Sequence, residues 1–258
     1  MQEEDSFMPI PNPVAFTIFH IDIMWYGILI TAGIAVATAL CMKRAPKHGL
    51  DGDKILNFVI ISVPVAIVGA RLYYVVFNWS MYAGDWAKII NIRLGGLAIH
   101  GGLIFGLGTA AVLCLIWKIR PLNILDLAAP CIALAQSIGR WGNYFNSEAH
   151  GGPTNLPWAV TVGGQTYHPT FLYESIWCFL LFLFLIYLDN RRAFEGQTIL
   201  LYGMLYSVER FFVEALRTDS LMIGPFKQAQ VISAVIFAVC LAGYLILRKR
   251  GRKIDRTA

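Results

Sequence analysis

The sequence predicts an all-α polytopic membrane protein of seven transmembrane helices, and three observations carry that expectation. Of 258 residues, 57% are hydrophobic and 14% charged, with a mean hydropathy of +0.59; soluble globular chains average about 25% charged. Seven apolar runs are long enough, or nearly so, to cross a hydrocarbon core at about 20 residues per helix. Lysine and arginine are also sorted unevenly between alternate loops. At this length the whole chain, residues 1–258, reads as a single integral membrane domain with no large soluble domain beside it.

The first run, near 18–42, follows a tail with Glu3, Glu4 and Asp5 and no base. That is the reverse of the cationic start of a signal peptide, so the run is expected to stay as a span with nothing cleaved. The second covers 55–77 and the third 95–117, where Gly102 and Gly106 have the spacing that lets transmembrane helices approach closely. The fourth, 121–140, is the least regular. Its Pro121, Asp126, Pro130 and Gln136 predict a helix that is short, kinked or shielded by neighbours. The remaining runs are 169–188, 197–216 and 227–247.

The connections add two features. Residues 78–94 mix Trp79, Tyr82, Trp86 and three isoleucines with Asp85, Lys88 and Arg93, as an interfacial amphipathic arm does. Residues 141–168 predict a small cap, in which 158–167 alternate around Gly163-Gly164 as a hairpin does. Cys41, Cys114, Cys131, Cys178 and Cys240 all fall in apolar runs without paired spacing, so they are read as packed hydrophobes rather than as metal ligands or disulfides.

Orientation follows from the loop charges, because positive residues are retained on the cytoplasmic side. One set of loops with the C-terminal tail holds fourteen Lys and Arg, six of them after residue 247; the other set holds four, Lys88, Arg93, Arg217 and Lys227. The C-terminus is therefore expected in the cytoplasm, its basic tail against anionic headgroups, and the N-terminus outside. The three bases left over, Arg71, Arg140 and Arg210, lie in or at the end of spans. A cation there costs roughly 2.5–3.5 kcal/mol on insertion scales, so each needs a partner or a purpose.

On that topology the polar groups of the spans converge. Arg71, His100, Arg140, His168, Glu174, Arg210 and Glu214, with His20, Asp22 and Tyr26 at the start of the first span, all fall in the outer half. A polar cavity open to the outer leaflet is implied. Arg140 and Arg210 fit two readings. They are structural ion pairs, with Glu148 near Arg140 and Glu214 four residues after Arg210; or they form a phosphate clamp, since guanidinium forks bind phosphate oxygens bidentately. His100 at membrane depth is a proton-transfer candidate, and Tyr26 fits either an aromatic belt or a site. Asn143, Asn146 and Glu148 are expected beyond a helix end, in a polar loop that Gly142 and Gly151 permit. Spread bases without a base-stacking module argue against nucleic acid, and the usual hydrolase and nucleotide-binding signatures are missing.

Gly139-Arg140-x-Gly142-Asn143-Tyr144-x-Asn146-x-Glu148-x-x-Gly151 resembles the signature of the bacterial prolipoprotein diacylglyceryl transferases, with Tyr144 where the family more often has Phe. Tyr26-Gly27, His100-Gly101-Gly102, Asp126, His168-Pro169-Thr170-x-Leu172-Tyr173-Glu174 and Glu209-Arg210-Phe211-x-x-Glu214-x-x-Arg217 match it as well, in order and over almost the whole chain. The resemblance implies a multi-pass protein of the bacterial inner membrane with its active site on the extracytoplasmic side. The enzyme would move the sn-1,2-diacylglyceryl group of phosphatidylglycerol to the lipobox cysteine of a prolipoprotein signal peptide, forming a thioether and releasing glycerol phosphate, without metal or cofactor.

In that chemistry the thiol must be deprotonated and the departing phosphate stabilised. Arg140 and Arg210 suit the phosphate, and His100 is the first choice of base or relay, with Glu214 as the alternative. Asn143, Glu148 and Gly151 would shape the headgroup pocket, Tyr26 would orient the substrate, and Glu174 joins the lipid-binding set. The rival from another class is an anionic lipid or solute transporter using the same arginines, which would be expected to place polar groups through the full membrane thickness.

Overall fold

A computed structural model describes residue 8 and residues 11–92 and 95–250, the last without its side chain. The acidic N-terminal tail, Arg93 and the basic residues beyond Arg250 lie outside the described residues. The chain forms two compact units, residues 41–124 and residues 1–40 with 125–258.

The first element is a hairpin, not a helix. β1 (Val14–Ile18) pairs antiparallel with β2 (Ile21–Met24) through a two-residue turn in which Phe19 and His20 both take positive φ, the geometry of the tight primed turns. Residues 18–24, read from the sequence as the start of the first span, therefore belong to this hairpin. Their alternating β-branched residues suit a strand better than a helix. His20 and Asp22 move with them, and Asp22 accepts a 2.6 Å hydrogen bond from the Thr17 hydroxyl. The helix α1 (Trp25–Arg44) begins only after the hairpin and tightens into a 3₁₀ turn, Ala45–His48, that ends at left-handed Gly49.

The unit of residues 41–124 contains α2 (Gly52–Phe77), a short α3 (Trp86–Ile90) and α4 (Ile99–Ile116). Asp51 caps α2 by accepting from the Asp53 N–H, and Asp85 caps α3 by accepting from that of Lys88. α2 and α4 pack closely through small residues, as the spacing of Gly102 and Gly106 predicts: a Cβ on Gly106 would stand 3.2 Å from that of Ala66.

Arg71 explains the arm. Its guanidinium donates to the carbonyls of Lys88, Ile89, Asn91, Gly95 and Gly96 at 2.6–2.9 Å. Five carbonyl acceptors replace the water that a cation loses at membrane depth, and they bring residues 88–91 and Gly95-Gly96 around one side chain. Gly95 and Gly96 make this possible, because both take positive φ and a Cβ on Gly96 would come within 2.5 Å of Arg71 Nη1. Of the three arginines expected to mark a site, this one serves as a bracket.

In the other unit, α5 (Pro121–Phe145), α6 (Thr170–Asp189) and α7 (Gln197–Leu216) surround a core in which Ala129 and Ala133 meet Leu181, Leu185, Tyr202 and Leu205. α5 runs five residues past the predicted end of its span, so Trp141 to Phe145 are helical and Asn143 is on a helix rather than in a loop. Pro130 lies inside the helix and is buried by its neighbours. Fully buried Asp126 ties α5 to the start of α7 by accepting from the N–H groups of Gly196 and Ile199 at 2.7 and 2.9 Å, with Arg192 at 3.4 Å. Its carboxylate occupies the site where a helix N-terminus favours negative charge. β3 (Val160–Val162) and β4 (Gln165–Tyr167) form the expected hairpin around Gly163-Gly164. A last small hairpin, β5 (Met222–Ile223) and β6 (Phe226–Lys227), leads into α8 (Gln228–Arg250), which packs on α7.

Among the described residues, six helices are long and apolar enough to cross a membrane, Trp25–His48, Gly52–Phe77, Ile99–Ile116, Pro121–Phe145, Thr170–Asp189 and Gln228–Lys249. The protein is a polytopic, helical membrane protein. α7 has the length of a span but carries Glu209, Arg210 and Glu214, and so falls short on composition.

Candidate active site

The helical period of α7 sets Tyr202, Tyr206, Arg210 and Glu214 four residues apart on one face, with Glu209 beside them. α5 does the same with Gln136 and Arg140. The two stripes meet: the Tyr202 hydroxyl donates to Gln136 Oε1 at 2.8 Å, and Arg140 Nη2 donates to the Tyr206 hydroxyl at 3.2 Å.

Glu174, from the first turns of α6, joins the two arginines. Its Oε2 is 2.7 Å from Arg140 Nη1 and its Oε1 is 2.6 Å from Arg210 Nη1, while Arg210 Nη2 also stands 2.8 Å from Glu214 Oε2. That last contact is one of charge without an aligned hydrogen bond. Exposure gives the arrangement a direction. The Glu174 side chain is 2% exposed and each arginine side chain 21%, so the carboxylate is the buried floor beneath two partly exposed arginines. Reciprocal bonds between Ser137 and Ser175 fix α5 against α6 one turn below, and Trp141 Nε1 donates to Ser175 Oγ at 3.1 Å.

Arg140, Arg210, Glu174 and Glu214 are thus brought together as the sequence predicts, but with different partners. Arg140 pairs with Glu174, a carboxylate from another helix, and not with Glu148. Glu148 instead accepts from the side-chain amides of Asn143 and Asn146 at 3.1 and 3.2 Å, and its own N–H donates to the Asn143 carbonyl. These three residues close the end of α5 into a polar turn through Ser147 and Ala149, both at positive φ. Tyr26 lies against α5 because Gly142 has no side chain; a Cβ there would be 2.6 Å from the tyrosine ring. Gly151 is buried where its N–H donates to the His168 carbonyl and where residues 151 and 217 bridge. His168 precedes α6 rather than beginning it and meets the Tyr173 hydroxyl at 3.3 Å. His100 belongs to the unit of residues 41–124, where it is exposed in the first turn of α4 and stacks on Tyr73. Tyr206 and Glu209 are the site residues that sequence reasoning left out. Their signal is helical position: Tyr206 lies on the stripe of Arg210 and Glu209 directly beside it.

The loop after α7 is held by Arg217, which donates from Nε and Nη2 to both oxygens of Asp219 at 3.0 and 2.7 Å. These bonds hold the Asp219 carboxyl below its ordinary range. The folded value is thus depressed, so the pair's stabilisation is complete above the unfolded value, near 3.9, and fades as pH falls through the folded one. Lowering the pH through about 4 should therefore cost the native protein slightly more thermal stability than Asp219→Asn. Parallel melting curves of the two proteins would refute this.

Residues 13–246 match the family described as prolipoprotein diacylglyceryl transferase. The chain belongs to that family. Among relatives named phosphatidylglycerol–prolipoprotein diacylglyceryl transferase, one from Clostridioides difficile (strain 630) is 50% identical over 93% of this chain and 96% of its own length. One from Finegoldia magna is 49% identical over 95% and 98%, and one from Clostridium novyi 45% over 95% and 98%. In this member of the diacylglyceryl transferase family, the arginine pair on its buried glutamate joins three helices through a single carboxylate.

Proposed function

We propose that this chain transfers the sn-1,2-diacylglyceryl group of phosphatidylglycerol to the lipobox cysteine thiol of prolipoproteins, forming a thioether and releasing glycerol phosphate. The observation that carries the reading is the pair of guanidiniums fixed side by side on buried Glu174, each side chain partly exposed. A phosphate diester meeting both would be gripped by planar forks already oriented, so little ordering remains to be done in the transition state.

The thiol sulfur attacks the glycerol carbon that bears the phosphate, an S–C bond forms, and the C–O bond breaks towards the phosphate. Negative charge grows on that phosphate as the bond breaks. Arg140 and Arg210 stabilise it in surroundings of low dielectric, where fixed charges act more strongly than in water. Asn143, Glu148 and Gly151 would shape the headgroup pocket and Tyr26 would orient the lipid. His100 is a proposed acid–base group. An apolar groove of about 250 Å³ between α7 and α8, lined by Phe211, Phe212 and Phe237, suits an acyl chain.

In this reading α7 is the seventh span, its charges turned inward to α5 and α6. The whole chain is one domain of the bacterial inner membrane, with the N-terminus and active site extracytoplasmic and the basic C-terminus cytoplasmic. Purified protein given phosphatidylglycerol labelled in its acyl chains should label a lipobox peptide only when the peptide contains its cysteine. Label crossing liposomes without a covalent product would replace the transferase with a transporter.

A further inference from the structure

Glu209 has no partner at the level of hydrogen bonding. Both carboxylate oxygens are buried and accept nothing, and the residue is 5% exposed. Burying a polar group without compensation is costly, and buried carboxylates ordinarily have donors. Yet Glu209 stands in the middle of the site. It interacts electrostatically with Arg140, Arg210, Glu174 and Cys178. Tyr206, one turn earlier on the same face of α7 and half-buried, interacts with it too, and the Tyr206 hydroxyl is also the group that Arg140 grips. Glu174 and Glu214 already balance the two arginines, so Glu209 is a third acid where two suffice.

The proposed reaction has a use for it. A phosphate diester with one negative charge becomes a monoester with two, while the thiol surrenders its proton. If that proton left for bulk water, the buried site would gain a full negative charge, which low-dielectric surroundings oppose. A carboxylate that takes the proton keeps the total unchanged: thiol, diester and carboxylate carry two negative charges before transfer, and thioether, monoester and carboxylic acid carry two after it. Glu174 and Glu214 are poorly suited, because each already balances an arginine, Glu174 at 2.6 and 2.7 Å and Glu214 at 2.8 Å. The oxygens of Glu209 are unengaged.

We infer that Glu209 accepts the thiol proton during transfer, relayed by the Tyr206 hydroxyl, which Arg140 holds one turn earlier on the same face of α7. The proton then returns to the departing glycerol phosphate or to water as the product leaves. The inference rests on the transferase reading above. The groups that act on Glu209 come from α5 (Arg140), α6 (Glu174 and Cys178) and α7 (Tyr206 and Arg210); α8, packed on α7, presents Cys240 against Gly203.

The test is Glu209→Gln in the full chain, assayed with labelled phosphatidylglycerol and a lipobox peptide. The expected result is a fall in kcat of about 100-fold or more with KM for the lipid unchanged. The residual rate should rise about tenfold per pH unit below the thiol's own value near 8.5, as solution ionisation takes over, while the native rate climbs less steeply. A peptide carrying selenocysteine, whose selenol is ionised at neutral pH, should restore most of the turnover. Native turnover in E209Q overturns the inference, and so does a loss that neither alkaline pH nor the selenol relieves. Should E209Q fail to insert, Glu209→Asp decides: it keeps an acceptor and so the native pH slope at a reduced rate, and a steep slope refutes the role. Native protein that transfers no label would instead sink the transferase reading itself.

Discussion

Arg210→Ala is expected to lower diacylglyceryl transfer about 100- to 1,000-fold while the protein still inserts and folds, because it removes donors that matter most as charge develops on the leaving phosphate. Glu174 keeps Arg140 after this change, so the floor of the site retains one of its two ion pairs. Arg210→Lys should fail nearly as badly. An ammonium can sit near one Glu174 oxygen, but it cannot hold Glu174, Glu214 and a phosphate in one plane as the guanidinium fork can. Initial rates with labelled phosphatidylglycerol, normalised to inserted protein, decide the matter. An active Arg210→Ala enzyme would remove the clamp, and full activity in Arg210→Lys would reduce it to a diffuse electrostatic effect. Arg140→Ala should behave alike, with the added loss of the Tyr206 contact.

The helices were legible because hydropathy acts over some twenty residues and tolerates local exceptions. α7 coincides with its predicted run, and α6 and α8 differ from theirs by only a few residues. The errors came where a shorter-range rule prevailed. Residues 18–24 are as apolar as a helix start, but β-branched alternation and a tight turn make them half of a hairpin. Arg140 was read as the end of a span, although nothing in Trp141 to Phe145 breaks a helix and Gly142 serves contact with Tyr26 rather than a turn.

Pairing within the site was less legible, because a sequence displays near neighbours and a helical bundle joins distant ones. Glu214 lies one turn from Arg210 and was expected there. Glu174 lies 34 positions from Arg140 and 36 from Arg210, and nothing in the one-dimensional pattern distinguishes it as their shared partner from Glu148, which is eight away. The same limit concealed Arg71. A lone arginine in a span suggested an anion site, whereas five carbonyls supplied by a folded arm satisfy it equally well.

Glu174→Ala is expected to cost the most stability of any single change in the site, roughly 3–5 kcal/mol, because breaking a buried ion pair leaves an uncompensated charge. Here one substitution strips two cations at once. Arg210 would retain Glu214, but Arg140 would be left with the Tyr206 hydroxyl. By contrast, Arg140→Ala leaves Glu174 held by Arg210, and Arg210→Ala leaves it held by Arg140. Thermal stability should therefore fall furthest in Glu174→Ala, next in Arg210→Ala, which also abandons Glu214, and least in Arg140→Ala. Activity should follow a different order. Glu174→Gln keeps the shape and one acceptor, so it should retain measurable transfer in spite of lower stability, whereas both arginine variants lose transfer. If Glu174→Ala melts no lower than Arg140→Ala, the shared carboxylate is not what holds the three helices together. If Glu174→Gln is as inactive as Arg210→Ala, the floor of the clamp takes part in the chemistry as well as in its support.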